Sequence, residues 1–119
     1  MRNIELAERT KHFALRVIRL YGALPKRVEC EVIGKQLLRS GTSVAANYRE
    51  ACRARTRSEL SSKLSIVLQE LDESQLWFEL LIESGFVKKE KLQPLVSESD
   101  ELIRIMIASI RTTAKPPRE

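Results

Sequence analysis

Four arginines lie within nine residues of this sequence: Arg49, Arg53, Arg55 and Arg57. A guanidinium group holds a phosphate through two parallel hydrogen bonds, and such contacts weaken as the salt concentration rises. Three interpretations are open for these side chains: solvated surface charges, ion pairs with acids of the following helix or of another subunit, and contacts to phosphates. With Lys63 they form a candidate nucleic-acid-binding set. The few aromatic residues suit a core better than base stacking, so such a set would contact backbone and shape rather than base edges.

Catalytic chemistry finds no support in the residue types or their spacing. His12 is the single histidine, so one imidazole cannot serve as both a base and the group that orients it. Ser40 and Ser43 have no neighbouring base to activate them. Cys30 and Cys52 fall on one predicted helix about 33 Å apart, too far for a disulfide, and no zinc-binding spacing exists. We therefore expect a protein that is not an enzyme and uses neither metal nor cofactor.

Length and composition favour a single helical domain. The chain has 119 residues, 4 Gly and 4 Pro, which suits one core with short connections. The net charge of +5 permits nucleic-acid binding, although residues 58–87 reverse the sign with one lysine and six acids. No run of about 18 apolar residues predicts a membrane span, and the charged start does not resemble a secretory signal. We expect a cytoplasmic protein without membrane contact.

Apolar periodicity predicts four helices with no competing strand pattern. The first is expected to stop near Gly22, and a T-x-x-E capping box at Thr56 and Glu59 should start the third. Pro94 either lies in the first turn of the last helix or kinks it. The predicted helices span about residues 3–21, 28–55, 57–84 and 89–112, with a flexible tail at 113–119. Four helices with short connections predict an up-down-up-down four-helix bundle.

The second helix has unusual faces on a helical wheel. Its core face carries Ile33, Leu37, Val44, Tyr48 and Ala51, and a run of small residues follows on one side: Gly34, Gly41, Ala45 and Cys52. On the other side lies a polar stripe made of Gln36, Ser40, Ser43 and Asn47, beyond which come Arg39, Arg49 and Arg53 with Glu50 at the margin. Amides and hydroxyls need partners if they are buried. A single bundle is expected to bury one face only, so the polar stripe indicates either a subunit interface or a solvated face.

The segment Q-L-L-R-S-G-T-S-V-A-A-N-Y-R-E-A, residues 36–51, is followed by R-A-R and then by S-x-L-S-x-K-L-S-I-V-L-Q-E-L-D-E-S-Q-L-W. This sequence closely resembles the four-helix-bundle intervening-sequence proteins, which are encoded within insertions in bacterial large-subunit ribosomal RNA genes and also as stand-alone genes. The resemblance covers nearly the whole chain. It implies an antiparallel bundle that assembles into a homopentamer, and Ala45 stands where many relatives have Gly. Its signature positions correspond to Gln36, Arg39, Ser43, Asn47 and Glu50, so Arg39 and Glu50 join the expected interface.

Two functions follow as expectations. The first is a non-catalytic homo-oligomer, pentameric by resemblance, that binds structured RNA such as ribosomal RNA, or another nucleic acid, through a basic surface. The second is an oligomeric protein–protein adaptor. It follows from a related group, the accessory proteins of diversity-generating retroelements, in which the resemblance implies binding to nucleic acid and to a reverse transcriptase.

Overall fold

The computed structural model describes residues 4–114, which form four α-helices and no strand. They are α1 (Ile4–Ala23), α2 (Val28–Cys52), α3 (Arg57–Glu83) and α4 (Lys89–Ala114). The predicted all-α class and the four-helix bundle are confirmed. Among the described residues, no helix is long and apolar enough to cross a membrane. The predicted first helical residue, Asn3, and residues 115–119 of the predicted tail lie outside the described part of the chain.

The ends of α1 and α2 differ by two or three residues from the sequence prediction. Helix α1 continues through Gly22, because that glycine does not adopt a left-handed conformation; the left-handed glycine is Gly85, with φ 82° after α3. Helix α2 ends at Cys52, three residues before the predicted end. The connection to α3 then leads to the predicted cap, in which the Thr56 hydroxyl accepts from the Glu59 backbone N–H at 3.0 Å.

The last helix is longer than predicted, because Thr113 and Ala114 are helical rather than part of a tail. Helix α4 is also continuous through Pro94, which lies in its second turn. A proline has no backbone N–H, so the Glu90 carbonyl loses its usual helical partner there. The exposure of Pro94 and Glu90 leaves that carbonyl in a region open to water.

The core lies along the axis of a rod that measures 56 × 20 × 19 Å. Helix α1 packs on α2, α2 on α3 and α3 on α4, whereas α1 and α4 meet more sparsely. Near the middle, the rings of Phe13 and Phe78 meet edge to face with centroids 6.3 Å apart. The gap between α1 and α4 is bridged by Arg9, whose guanidinium lies 2.8 Å from Glu98 and 3.2 Å from Glu101.

The small residues of α2 allow α1 to approach closely. A Cβ atom added at Gly41 would lie 2.9 Å from both methyl groups of Val17, and one added at Gly34 would lie 2.8 Å from Tyr21 and Leu24. Real side chains do not tolerate such distances without movement. The run of small residues therefore serves packing within one chain.

The other flank of α2 is covered by α3, which corrects the expectation that a single bundle buries only one face of this helix. Ser40 is fully buried, and its hydroxyl lies 2.8 Å from that of Ser74. Each hydroxyl has one hydrogen to donate, so one of the two donates to the other, and the second donates to a backbone carbonyl of its own helix. The Ser74 hydroxyl lies 2.8 Å from the Glu70 carbonyl, and the Ser40 hydroxyl lies 3.3 Å from the Leu37 carbonyl. Ser40 is thus a core residue of the monomer, and we no longer assign it to a subunit interface.

Candidate functional site

A groove runs between α1 and α2 near the end of the bundle where α2 stops. We call it the α1–α2 groove; it encloses about 350 Å³. Its floor is made of small side chains, Ala7, Ala45 and Ala46, together with the buried Thr10. The Thr10 hydroxyl donates a shared hydrogen bond to the carbonyl oxygens of Leu6 and Ala7. Its walls carry charged side chains: Lys11 from α1, Arg49 and Glu50 from α2, and Arg53 directly after the end of α2.

The charges in this groove are unbalanced. Arg49 and Arg53 are exposed and form no ion pair or side-chain hydrogen bond within the described residues. Glu50 is the single acid of the lining, and it lies 2.6 Å from the ammonium of Lys63, outside the groove. Lys11 pairs at 3.0 Å with Glu8, one turn earlier on the exposed surface of α1. Three cations therefore face a space whose one carboxylate already has a partner.

The structure divides the predicted nucleic-acid-binding residues into two groups. Arg49 and Arg53 lie together in the α1–α2 groove, and the exposed side chain of Arg55 follows them with no partner in the described chain. Arg57 instead donates to the carbonyl oxygens of Thr112 and Thr113, at 3.3 and 2.9 Å, at the end of α4. Lys63 is held by Glu50, as described above.

Sequence reasoning missed Lys11 as a member of this basic site. It lies on α1, 38 positions before Arg49, and nothing in local spacing connects the two residues. The available signal was the run of small residues on α2, which shows where α1 must approach. Placing the exposed face of α1 beside that run would have brought Lys11 to the groove.

The residues predicted for a subunit interface lie along the line where α2 meets α3. Arg39 forms ion pairs with Glu70 at 3.2 Å and Glu73 at 2.8 Å, and the hydrogen bond to Glu70 raises the pKa of Arg39. The side-chain amide of Asn47 donates to the Ser43 carbonyl at 2.9 Å. Gln36 is exposed. Arg39, Asn47 and Glu50 thus have contacts within the chain while remaining at or near its surface.

An apolar patch lies on the outer surface of the same two helices. It consists of Val28 and Val32 on α2 and Leu76 and Leu80 on α3, and all four are exposed, from 39% for Leu80 to 75% for Val28. Beside it, the Trp77 indole N–H is buried without a hydrogen-bond partner among the described residues. Isolated apolar side chains are common on surfaces, but a contiguous group of them is typical of a contact site.

A second cavity, of about 280 Å³, lies at the same end of the bundle as the groove. Its lining is mainly apolar and includes Ala51, Leu60 and Leu64, with the Cys52 thiol beside Tyr48. Burial, and to a lesser degree the neighbouring Cys52, raises the pKa of the Tyr48 hydroxyl, so that hydroxyl stays neutral. Within residues 4–114, no group of three or more His, Cys, Asp or Glu side chains is placed to hold a metal ion.

The fold and these sites define a helical bundle with a basic groove on one side and a polar and apolar face on another. The chain matches the sequence model of the 23S rRNA-intervening sequence protein family over residues 2–108, and it belongs to that family. This confirms the resemblance found in the sequence.

A solved structure supports the same assignment. It is a protein of unknown function from the S23 ribosomal protein family of Bacteroides thetaiotaomicron VPI-5482, with a TM-score of 0.83 and 36% sequence identity. The match covers 89% of this chain and 95% of that one. Among curated proteins, none matches the chain.

Proposed function

We propose that this protein is a non-catalytic, cytoplasmic homo-oligomer that binds structured RNA, or another nucleic acid, through the end of α2. Arg49, Arg53 and Arg55 are the contact residues. The observation that carries this proposal is that all three side chains are exposed and unpaired within the described chain. The family's association with ribosomal RNA makes structured RNA the first ligand to test.

Three other cations of the bundle differ from these arginines because they are already paired. Arg9, Arg39 and Lys63 each have an acid within 3.2 Å, so a phosphate would have to displace a carboxylate from them. At the end of α2, no carboxylate must be displaced. Binding there releases counterions from the nucleic acid and leaves the protein's own ion pairs intact.

The test is the binding of a ribosomal RNA fragment across a salt series, read by fluorescence anisotropy. We expect the logarithm of the association constant to fall linearly with the logarithm of salt concentration. The double variant Arg49→Ala/Arg53→Ala should bind more weakly and with a salt slope shallower by about 2. The control Arg104→Ala/Arg111→Ala removes the same charge from exposed positions of α4. Equal losses in the two variants, or no binding at low salt, would refute the proposal.

Within each subunit, we infer an antiparallel, up-down-up-down arrangement. It is supported by pairs whose numbers run in opposite directions: Arg39 lies beside Glu73, whereas Glu50 lies beside Lys63. The same register continues to the other end of the two helices. There the guanidinium of Arg27 lies 5.2 Å from the centre of the Phe86 ring.

The proposed oligomer forms through the outer face of α2 and α3. By the register above, Val32 comes beside Leu80, so the apolar patch is continuous across both helices. Gln36 and Arg39 border that patch, and Ser43, Asn47 and Glu50 continue the polar surface along α2. Together they supply the polar rim that subunit interfaces commonly have. A homopentamer is the state that the family resemblance implies, and light scattering measures it directly.

A second candidate function is an adaptor whose partner is another protein. In this alternative another protein, rather than a second copy of this chain, covers the apolar patch, and phosphates make no favourable contact with exposed Val and Leu side chains. A reverse transcriptase is the partner that resemblance to the retroelement group implies. Co-expression with a reverse transcriptase encoded nearby, followed by size-exclusion chromatography with light scattering, tests this: a mixed complex supports it, and separate elution of the two proteins refutes it.

A further inference from the structure

We propose that the α1–α2 groove seats one backbone phosphate of the nucleic acid, and that Lys11 of α1 is a ligand of that phosphate beside Arg49 and Arg53. This inference rests on the proposed function and adds two things to it. It replaces a diffuse basic surface by a defined site, and it brings in a residue of a different helix.

The shape of the groove is the first support. Ala7, Ala45 and Ala46 have no side-chain atoms beyond Cβ, so the floor stays low between two helices whose walls carry long cationic side chains. The enclosed volume of about 350 Å³ is ample for a phosphate group with its ester oxygens. Arginine and lysine side chains rising from opposite walls can then contact different oxygens of the same group.

The charge balance is the second support. Lys11, Arg49 and Arg53 face the groove with one carboxylate, Glu50, which is bound to Lys63 at 2.6 Å. Arg49 lies in the last turn of α2 and Arg53 directly follows that helix, so the two like charges lie close together and repel each other. A bound anion removes this repulsion.

Lys11 must leave its ion pair with Glu8 to bind a phosphate, and that ion pair is weak. The ion pair of Lys11 with Glu8 is exposed on both sides, at 51% and 64% of the side-chain areas, and ion pairs of that kind contribute little. Lys11 can therefore turn toward a phosphate at small cost.

A charge-neutral change separates a seated phosphate from general attraction. Ala46→Leu fills part of the groove without altering any charge, whereas Ala108→Leu makes the same change at an exposed position of α4. We expect the first to weaken binding of a ribosomal RNA fragment about tenfold, the scale of one charge-assisted contact, and the second to leave it unchanged. Circular dichroism of both variants verifies the fold.

A second pair of variants tests Lys11 itself. Lys11→Ala should weaken RNA binding and lower the salt slope by about 1, whereas Lys26→Ala, which removes the same charge at the far end of the bundle, should not change the slope. If Ala46→Leu and Lys11→Ala both bind RNA like the unmodified protein, the groove site is refuted and the proposed function stands.

Inorganic tripolyphosphate, titrated by calorimetry at low salt, distinguishes the phosphate site in the groove from the proposed RNA-binding function. Heat of binding that disappears in Ala46→Leu supports the groove even if no RNA is bound, in which case the proposed function fails alone. Absence of binding to both tripolyphosphate and RNA overturns both.

Discussion

The hydroxyl oxygens of Ser40 and Ser74 lie 2.8 Å apart where α2 meets α3, and neither residue is exposed. This bond is one of the contacts that make α2 a central helix of a single chain, with α1 on one side and α3 on the other. Two small polar residues suit the position because the hydroxyl that accepts the bond across the helices can donate its own hydrogen to a backbone carbonyl of its helix. The pair lets the two helices approach closely and leaves no buried hydroxyl unsatisfied.

Replacing these serines should change stability and leave assembly intact. Ser40→Ala and Ser74→Ala are each expected to lower the free energy of unfolding by about 0.5–1.5 kcal/mol, the usual net value of one hydrogen bond. The double variant should cost less than the sum, because the bond between the two hydroxyls is counted twice in the singles. Urea unfolding followed by circular dichroism measures this. A loss of oligomer mass with unchanged unfolding would return Ser40 to a subunit interface.

The sequence was sufficient for the fold and for part of the site. Periodicity alone places Leu37 and Val44 in the core, and the Thr56 capping box marks the start of α3. The sequence could not decide whether the polar stripe packs within the chain or forms a subunit interface. Small polar residues suit a neighbouring helix of the same chain and one of another chain equally well. The position of Ser74 in the folded chain is what places Ser40 in the core of the monomer.

The contacts of the arginines could not be predicted from the sequence either. Arg53 and Arg57 are alike in type and are four residues apart, yet Arg53 lines a groove and Arg57 binds the end of α4. Which of them is free depends on the position of Thr113, more than fifty residues later in the chain. Long-range geometry of this kind leaves no trace in local spacing.

Adding a methyl group to Gly41 tests the close approach of α1 and α2. Alanine favours a helix over glycine by about 1 kcal/mol. At Gly41, however, the new Cβ would meet the Val17 methyl groups at 2.9 Å, so we expect net destabilisation by about 1–3 kcal/mol. Gly22→Ala is the control, since a Cβ added there would meet no atom within 4 Å apart from its chain neighbours and the adjacent backbone of its own helix, and it should stabilise by about 0.4–1 kcal/mol. Thermal unfolding that shows Gly41→Ala stabilised as well would contradict the packing described.

The two cysteines should differ in reactivity. Cys30 is fully buried, and burial together with the nearby Glu29 raises the pKa of its thiol, so the reactive thiolate is scarce near neutral pH. Cys52 is partly exposed. Iodoacetamide should therefore modify Cys52 first in the folded protein, and modification of Cys30 should speed up as the pH rises above the usual thiol range. Mass spectrometry of Cys52→Ser and Cys30→Ser variants measures each rate, and in guanidinium chloride the two rates should converge.

A charge placed in the apolar patch should dissociate the proposed oligomer. Leu80→Glu puts a carboxylate among Val32 and Leu76, where association would have to bury it, so the mass by light scattering should fall to that of the 13.7 kDa chain. Helicity should not change, because Leu80 is not part of the core. Leu15→Glu on α1 is a matched control, since the two leucines are 41% and 39% exposed. If Leu15→Glu dissociates the oligomer and Leu80→Glu does not, the interface involves α1.

Arg57 should matter for the end of α4 rather than for nucleic acid. Its guanidinium donates to the Thr112 and Thr113 carbonyls, two of the acceptors that a helix C-terminus leaves without backbone partners. Arg57→Ala should lower the free energy of unfolding by about 0.5–1.5 kcal/mol and speed amide hydrogen exchange in the last turn of α4.

The comparison with Arg53→Ala separates the two roles, since each variant removes one positive charge near the same end of the bundle. Arg53→Ala should weaken RNA binding with little effect on exchange in α4, because its side chain has no partner in the described chain. Arg57→Ala should show the reverse, because a phosphate would have to compete with two carbonyl groups that the helix end supplies permanently. Equal losses of RNA affinity in the two variants would mean that the contact to α4 gives way on binding, and Arg57 would then rejoin the nucleic-acid site.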